Sequence, residues 1–133
     1  FGQLITAVNS DVAFRQHVRA LANRRDDASN PTWVYWFTWA STALGGQLGS
    51  CHALDIPFAF DNLDAPKVRG LLGHDSDTGN LATEFADNIT HFAVHGHASW
   101  AQYDRSTGAT LRMDLSTELL GHPEAEIHTL FGN

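Results

Sequence analysis

The segment T-W-V-Y-W-F-T-W, residues 32–39, constrains the fold of this chain most strongly. It combines aromatic and β-branched residues without an internal glycine or proline, which favours a β-strand. Alternate residues would share a face, with Trp33, Tyr35, Phe37 and Trp39 on one side and Val34, Trp36 and Thr38 on the other. Because both faces are largely apolar, the pattern is typical of a central strand covered by helices on both sides, as in an α/β sheet.

One helix is predicted before this strand in the sequence and another after it. Apolar residues recur at helical spacing over residues 9–27 and again over residues 81–95. Gly96 is placed to end the second helix. The chain therefore supplies helices that could cover a sheet.

Further strands are few. Leu111 and Met113 indicate one short strand, the segment D-I-P-F-A-F (residues 55–60) is a possible second, and the tail from Leu119 is ambiguous. Sheets normally have several strands, and a parallel sheet is rarely left open to water. The sequence thus predicts part of an α/β domain whose other strands lie elsewhere.

The composition excludes several classes of protein. At 133 residues the chain is at most one domain, and its net charge of −7 argues against a nucleic-acid partner. No apolar run approaches the roughly 18 residues of a membrane span. A single cysteine excludes an internal disulfide and mildly favours a cytoplasmic location. No signal-peptide pattern is present. Because the chain does not begin with methionine, it is expected to be processed, truncated or part of a longer protein.

The segment L-G-S-C-H-A-L-D, residues 48–55, holds the most notable histidine. The residues alone are compatible with His52 as a general base, a metal ligand, half of a Cys-His pair or a core residue. Neighbouring side chains in a strand or turn point apart, so Cys51 is interpreted as a small buried residue rather than a nucleophile.

A second group of histidines is compatible with metal binding. His91 and His95 are four residues apart on the predicted helix, and His97 follows. Zinc proteases place a glutamate directly after the first histidine of such a pair, whereas this chain has Phe92. The favoured interpretation is exposed histidines at a helix end, where a cation suits the helix dipole. A small metal-binding domain is the alternative, and it predicts zinc or nickel affinity that His91→Ala and His95→Ala would abolish.

The motifs of a complete serine hydrolase are missing. The nucleophile elbow G-x-S-x-G does not occur. The glycines Gly45, Gly46 and Gly49 are not followed by the Gly-Lys-Ser/Thr of a phosphate-binding loop. Neither a full serine triad nor a nucleotide site is therefore predicted within the chain.

An ordered series of motifs nevertheless resembles a known family. The series begins with V-Y-W-F-T-W-A-S (34–41) and L-G-S-C-H-A-L-D-I-P-F-A-F-D-N-L (48–63), and continues with F-A-V-H-G (92–96), W-A-Q-Y-D (100–104) and R-S-T-G-A-T-L-R-M-D (105–114). It is similar to the C-terminal region of type B carboxylesterases, the α/β-hydrolase family of the p-nitrobenzyl esterases and cholinesterases. Ala53 stands where many members have glycine, and Ala101 stands where proline is usual.

The resemblance implies a fold and a mechanism. Residues 1–133 would be a C-terminal fragment of one α/β-hydrolase domain of bacterial type, with the last sheet strands and packing helices, incomplete as a stand-alone domain. His52 would be the catalytic histidine of a serine esterase that works through an acyl-enzyme. In this fold the triad runs serine, acid, histidine, which is consistent with a chain that lacks the serine motif. The chain alone is expected to be inactive.

The resemblance also implies roles for residues near His52. Asp55 resembles a buried group that supports the histidine, and three residues of separation make it a poor candidate for the triad acid. Trp36, Trp39 and Phe58 are interpreted as core packing, with lining of the substrate pocket as the alternative.

The implied partners are limited. The full-length enzyme would act on a small-molecule ester, with no cofactor, metal, nucleic acid or membrane. A cut sheet leaves an unpaired strand edge, so self-association or pairing with the missing N-terminal portion is expected. The alternative function is a non-catalytic, esterase-like adhesion or binding domain.

Overall fold

The structure, a computed structural model, describes residues 10–27, 30–73, 78–123 and 125. A single π-helical turn at Asp11–Arg15 leads into helix α1 (Gln16–Asp27), and the later helices are α2 (Ile56–Ala59), α3 (Pro66–Leu72) and α4 (Thr78–His95). Three strands, β1 (Val34–Phe37), β2 (Thr110–Met113) and β3 (Glu118–Leu120), form one sheet in the order β1-β2-β3. The predicted α/β class is confirmed.

The contacts of the chain divide it into two compact units. One unit comprises Phe1–Val34, Gln102–Thr110 and Leu120–Asn133, and the other comprises Tyr35–Ala101 and Leu111–Leu119. The second unit contains the hydrophobic core cluster and the residues that the sequence indicated as a site. The assignment of residues 1–133 to one fragment of a single domain stays a prediction.

Strand β1 lies within the predicted segment and packs as its alternation indicated. The ring of Tyr35 contacts Phe85 of α4 edge-on at 5.1 Å between centroids. The ring of Phe37 contacts Phe58 of α2 at 5.0 Å and stacks on Phe85 at 5.9 Å. The sheet order places β1 at an edge of the described sheet, although its apolar pattern predicted a central strand.

Strands β2 and β3 form a hairpin. They are neighbours in the sheet and are separated only by residues 114–117, and a parallel pair would need a much longer crossover. Arg112 and Glu118 form an ion pair at 2.9 Å between the two strands. At the other edge of β2, the Thr38 hydroxyl donates to a carboxylate oxygen of Asp114 at 2.7 Å, which ties the end of β1 to the hairpin connection.

Helix α4 confirms the predicted second helix and its end. Gly96 has a φ of +74° and its N–H donates to the carbonyl of Phe92 at 2.9 Å, as expected for a glycine that ends a helix. The predicted apolar stripe is buried only over its first half, because Phe85 is 1% exposed but Ile89 and Phe92 are 39% and 46% exposed. None of the described helices is long and apolar enough to cross a membrane.

The segment D-I-P-F-A-F, considered as a possible strand, forms helix α2 instead. Pro57 lies in the first turn of that helix, where its missing N–H would have had no partner in the helix. Phe58 lies in the same turn and is fully buried. The predicted strand was therefore wrong, because a short apolar run does not distinguish a strand from a buried helical turn.

Candidate esterase histidine site

The His52 turn, defined here as residues 50–55, follows a glycine-rich excursion from strand β1. The excursion is closed by a bridge between Ser41 and Gly49, in which the Ser41 N–H donates to the Gly49 carbonyl at 3.1 Å. The Ser41 hydroxyl also donates to the carbonyl of Leu71 in α3 at 2.6 Å. Gly45 and Gly46 have φ values of +67° and +80°, which glycine adopts without steric cost. The approach to the histidine is thus a closed and anchored loop.

His52 is exposed at the second position of a tight turn. The turn is closed by the Leu54 N–H, which donates to the Cys51 carbonyl at 3.2 Å. Ala53, at the third position, has a φ of +65°, the sign that a type II turn requires and that favours glycine. Leu54 is fully buried, so the turn is anchored beside the imidazole while the imidazole itself faces outward.

Asp55 is half-buried and contacts strand β1. The Tyr35 hydroxyl donates to Oδ2 of Asp55 at 3.2 Å. Burial, then the charge of Asp55 and this hydrogen bond, raise the pKa of Tyr35 to about 12. The main-chain carbonyl of Asp55 accepts the Ala59 N–H at 2.9 Å, so the residue also begins helix α2. A supporting role of Asp55 for His52 stays a prediction.

The three aromatic residues considered for a pocket have different environments. Trp39 and Phe58 are 2% and 0% exposed, belong to the core cluster and contact each other at 5.1 Å between ring centroids. Trp36 is half-buried on β1. Core packing therefore accounts for the positions of Trp39 and Phe58, and pocket lining stays a prediction for all three.

His91, His95 and His97 lie together at the C-terminal end of α4 and are called the histidine cluster. The ring of His91 is 4.3 Å from that of His95 and 5.0 Å from that of His97, between centroids. Loss of solvent, then the neighbouring His95 and His97, lower the pKa of His91. Within residues 10–27, 30–73, 78–123 and 125, no group of three or more His, Cys, Asp or Glu side chains is arranged to hold a metal ion.

Two hydrogen bonds that link the His52 turn to strand β1 were not predicted from the sequence. Ser50 donates its hydroxyl to the carbonyl of Phe37 at 3.1 Å, and Tyr35 donates to Asp55 as described. The hydroxyl of Tyr35 on an otherwise apolar strand face is the signal that could have identified it. A serine in a loop carries no such signal, because its partner is a main-chain carbonyl.

Comparison with solved structures identifies proteins with a similar fold. A PNB esterase matches 90% of the chain with a TM-score of 0.78 and 25% sequence identity. A carboxylesterase of Geobacillus stearothermophilus matches 90% with a TM-score of 0.76 and 20% identity, and an esterase of Clostridium hathewayi matches 89% with a TM-score of 0.78 and 18% identity. The chain has the fold of part of a carboxylesterase. No protein-family model matches the sequence.

These similarities confirm the resemblance that the motifs indicated. The predicted relation to type B carboxylesterases and the α/β-hydrolase type of fold both agree with the matched structures. The chain spans only about a quarter of the length of these esterases, with coverage of 25%, 26% and 24% of the three matched chains. The Clostridium hathewayi enzyme is described as hydrolysing aliphatic aromatic polyesters, which is a property of that protein.

Proposed function

We propose that this chain is the C-terminal, histidine-bearing part of a type B carboxylesterase that hydrolyses small-molecule esters. The observation that carries the proposal is the placement of His52. The imidazole is exposed on a tight turn that follows an anchored glycine-rich loop, in a chain that matches esterase structures over 90% of its length. The motif around His52 and the fold thus support the same function independently.

The chemistry assigned to His52 is general acid–base catalysis. The imidazole takes the proton from a serine hydroxyl as that oxygen attacks the ester carbonyl, and then donates it to the leaving alcohol. It next activates a water molecule that hydrolyses the acyl-enzyme. Asp55, three residues from His52, is a poor candidate for the triad acid, so we assign the carboxylate that orients His52 to the remainder of the enzyme, together with the serine.

The remainder of the enzyme is also the proposed partner of this chain. Leu44, Ile56 and Phe60, which precede and follow His52 in the sequence, are 73%, 53% and 77% exposed. Strand β1 has one hydrogen-bonded neighbour in the described sheet. Exposed apolar side chains of this kind favour association. The isolated chain is therefore expected to self-associate, and a clean monomer in sedimentation at high concentration would contradict this.

The decisive experiment tests His52 in a complete esterase. The chain replaces the segment that it matches in a PNB esterase, and hydrolysis of p-nitrophenyl acetate is measured. His52→Ala should lower kcat by roughly 10²–10⁴-fold, the usual contribution of a general base. His17→Ala, which removes an exposed histidine of α1, is the control and should leave kcat unchanged. Activity that survives His52→Ala would contradict the catalytic role.

The isolated chain provides a second test. Its turnover of p-nitrophenyl acetate should not exceed that of free imidazole, because it lacks the G-x-S-x-G serine motif. Turnover well above that level, lost on His52→Ala, would show that the chain holds a working site by itself. The gene sequence upstream of the Phe1 codon separates the enzyme from the binding-domain alternative: G-x-S-x-G supports an esterase, and a replaced serine supports a binding protein.

A further inference from the structure

The His52 turn is attached to strand β1 at both of its ends. At the start of the turn, the Ser50 hydroxyl donates to the Phe37 carbonyl at 3.1 Å. At its end, the Asp55 carboxylate accepts the Tyr35 hydroxyl at 3.2 Å. Tyr35 and Phe37 are two residues apart on one strand, a rise of about 6.6 Å. Both ends of the turn are therefore held on the same short stretch of β1.

We propose that Tyr35 and Ser50 are positioning residues that fix the His52 turn against β1 and thereby orient the catalytic imidazole. This inference rests on the proposed function of His52. Neither residue touches the reacting atoms in this scheme. Each acts through the main chain that carries His52.

The conformation of the turn explains why such attachments are needed. Ala53 has a φ of +65°, a left-handed conformation that is unfavourable for a residue with a side chain. Strained backbone persists only where its surroundings constrain it. The buried side chain of Leu54 supplies one constraint from inside the turn. The hydroxyls of Ser50 and Tyr35 supply two more, one at each end.

Tyr35 is well suited to a lasting attachment. Its ring contacts Phe85 at 5.1 Å between centroids, which restricts where the hydroxyl can point. Its pKa is raised to about 12, so the phenol keeps its proton and remains a donor even at alkaline pH. The acceptor, Asp55, is held in turn because its main-chain carbonyl accepts the N–H of Ala59 in α2.

Thr38, the residue that follows strand β1, provides a matched control. The Thr38 hydroxyl donates to a carboxylate oxygen of Asp114 at 2.7 Å, so it makes the same kind of bond as Tyr35 makes to Asp55. The Thr38 bond leads to the connection between β2 and β3, not to the His52 turn. Thr38→Val thus removes a hydroxyl–carboxylate bond from the same part of the chain and leaves both attachments of the turn intact.

The first test measures the backbone order of selectively labelled residues 51–54 by NMR relaxation in the esterase that carries this chain. In the double variant Tyr35→Phe/Ser50→Ala, the order parameters of residues 51–54 should fall from a rigid value of about 0.85 to below about 0.6. Thr38→Val should leave them unchanged. Order parameters that stay high in the double variant would overturn the proposal, and so would an equal fall in Thr38→Val.

The second test measures catalysis in the esterase that carries this chain. Tyr35→Phe and Ser50→Ala should each lower kcat about tenfold, since a misplacement of 1 Å can cost about 10²-fold and the turn would be loosened rather than displaced. KM should stay within about twofold, because the substrate contacts are unchanged. Ser50→Thr, which keeps the hydroxyl, should retain kcat, as should Thr38→Val. Equal losses of kcat in Thr38→Val and Tyr35→Phe would indicate general destabilisation and overturn the assignment.

The two tests also separate this inference from the function on which it rests. If His52→Ala leaves the esterase active, the proposed function fails. The order parameters of the turn do not depend on catalysis, so they still decide whether Tyr35 and Ser50 hold it.

Discussion

Replacing Ala53 with glycine should stabilise the chain, because Ala53 holds a left-handed backbone conformation. Its φ of +65° costs a residue with a side chain roughly 1–2 kcal/mol. Glycine avoids that cost but loses about 0.5–1 kcal/mol through the greater freedom of its unfolded chain. Ala53 is half-buried, so removing its methyl group costs a further few tenths, about half of the 0.8 kcal/mol of a fully buried group. With the middle of each range, the free energy of unfolding should therefore rise by about 0.3 kcal/mol.

Ala59 is the matched control for this change. It is also half-buried, but it lies in helix α2, where glycine is less favourable than alanine by about 1 kcal/mol. The two variants remove the same methyl group from positions six residues apart. Opposite effects on the free energy of unfolding would therefore isolate the backbone contribution.

Urea unfolding followed by tryptophan fluorescence is a suitable assay, since the chain has four tryptophans. A denaturant slope of about 1–3 kcal/mol/M predicts a midpoint raised by about 0.1–0.3 M in Ala53→Gly. In Ala59→Gly the loss of the half-buried methyl group adds to the helix preference, and the midpoint should fall by about 0.5–1.4 M. A similar decrease in both variants would refute the reasoning, because it would show that Ala53 carries no left-handed strain.

Three further predictions concern the surroundings of the site. Asp55→Asn should lower the pKa of Tyr35 from about 12 toward 10, as followed by phenolate absorbance. Because the folded pKa lies above the unfolded value of 10.0, the stability from Tyr35 is complete below that pH and is lost as the pH rises toward 12, which urea midpoints would detect. Phe58→Ala should cost about 3–5 kcal/mol in thermal unfolding, and Phe60→Ala, at a side chain 77% exposed, less than about 0.5 kcal/mol. Gly73→Ala should cost at least about 1–3 kcal/mol, because Gly73 has a φ of +85° and a Cβ there would lie 2.6 Å from the Ala43 nitrogen; an unchanged midpoint would contradict this.

Much of the secondary structure was predictable because it depends on neighbouring residues. The aromatic, β-branched segment at 32–39 contains β1, and the helical spacing at 81–95 corresponds to α4 with its glycine end at Gly96. The motif around His52 could also be recognised from the sequence, because it consists of particular residue types at short spacing. These features led to the α/β class and to the esterase resemblance before any contact was known.

The errors arose where local pattern does not specify the environment. Residues 55–60 were considered as a strand but form α2, because an apolar run of this length suits either element. Ile89 and Phe92 belong to a regular apolar stripe and yet are exposed. Periodicity shows which side of a helix is apolar, but what covers that side depends on other parts of the protein.

The environment of His52 depends on contacts between residues that are distant in the sequence. The motif resemblance singled out His52 as a candidate, and the missing G-x-S-x-G motif argued against a complete triad within the chain. They could not show that Tyr35 meets Asp55 across a separation of 20 residues, or that Ser50 reaches the Phe37 carbonyl across 13. Hydrogen bonds between distant residues produce no periodic pattern in the sequence, because they form only when the chain folds back on strand β1. The candidate histidine was thus indicated by a local sequence motif, whereas the attachments proposed to hold it emerged only from the folded chain.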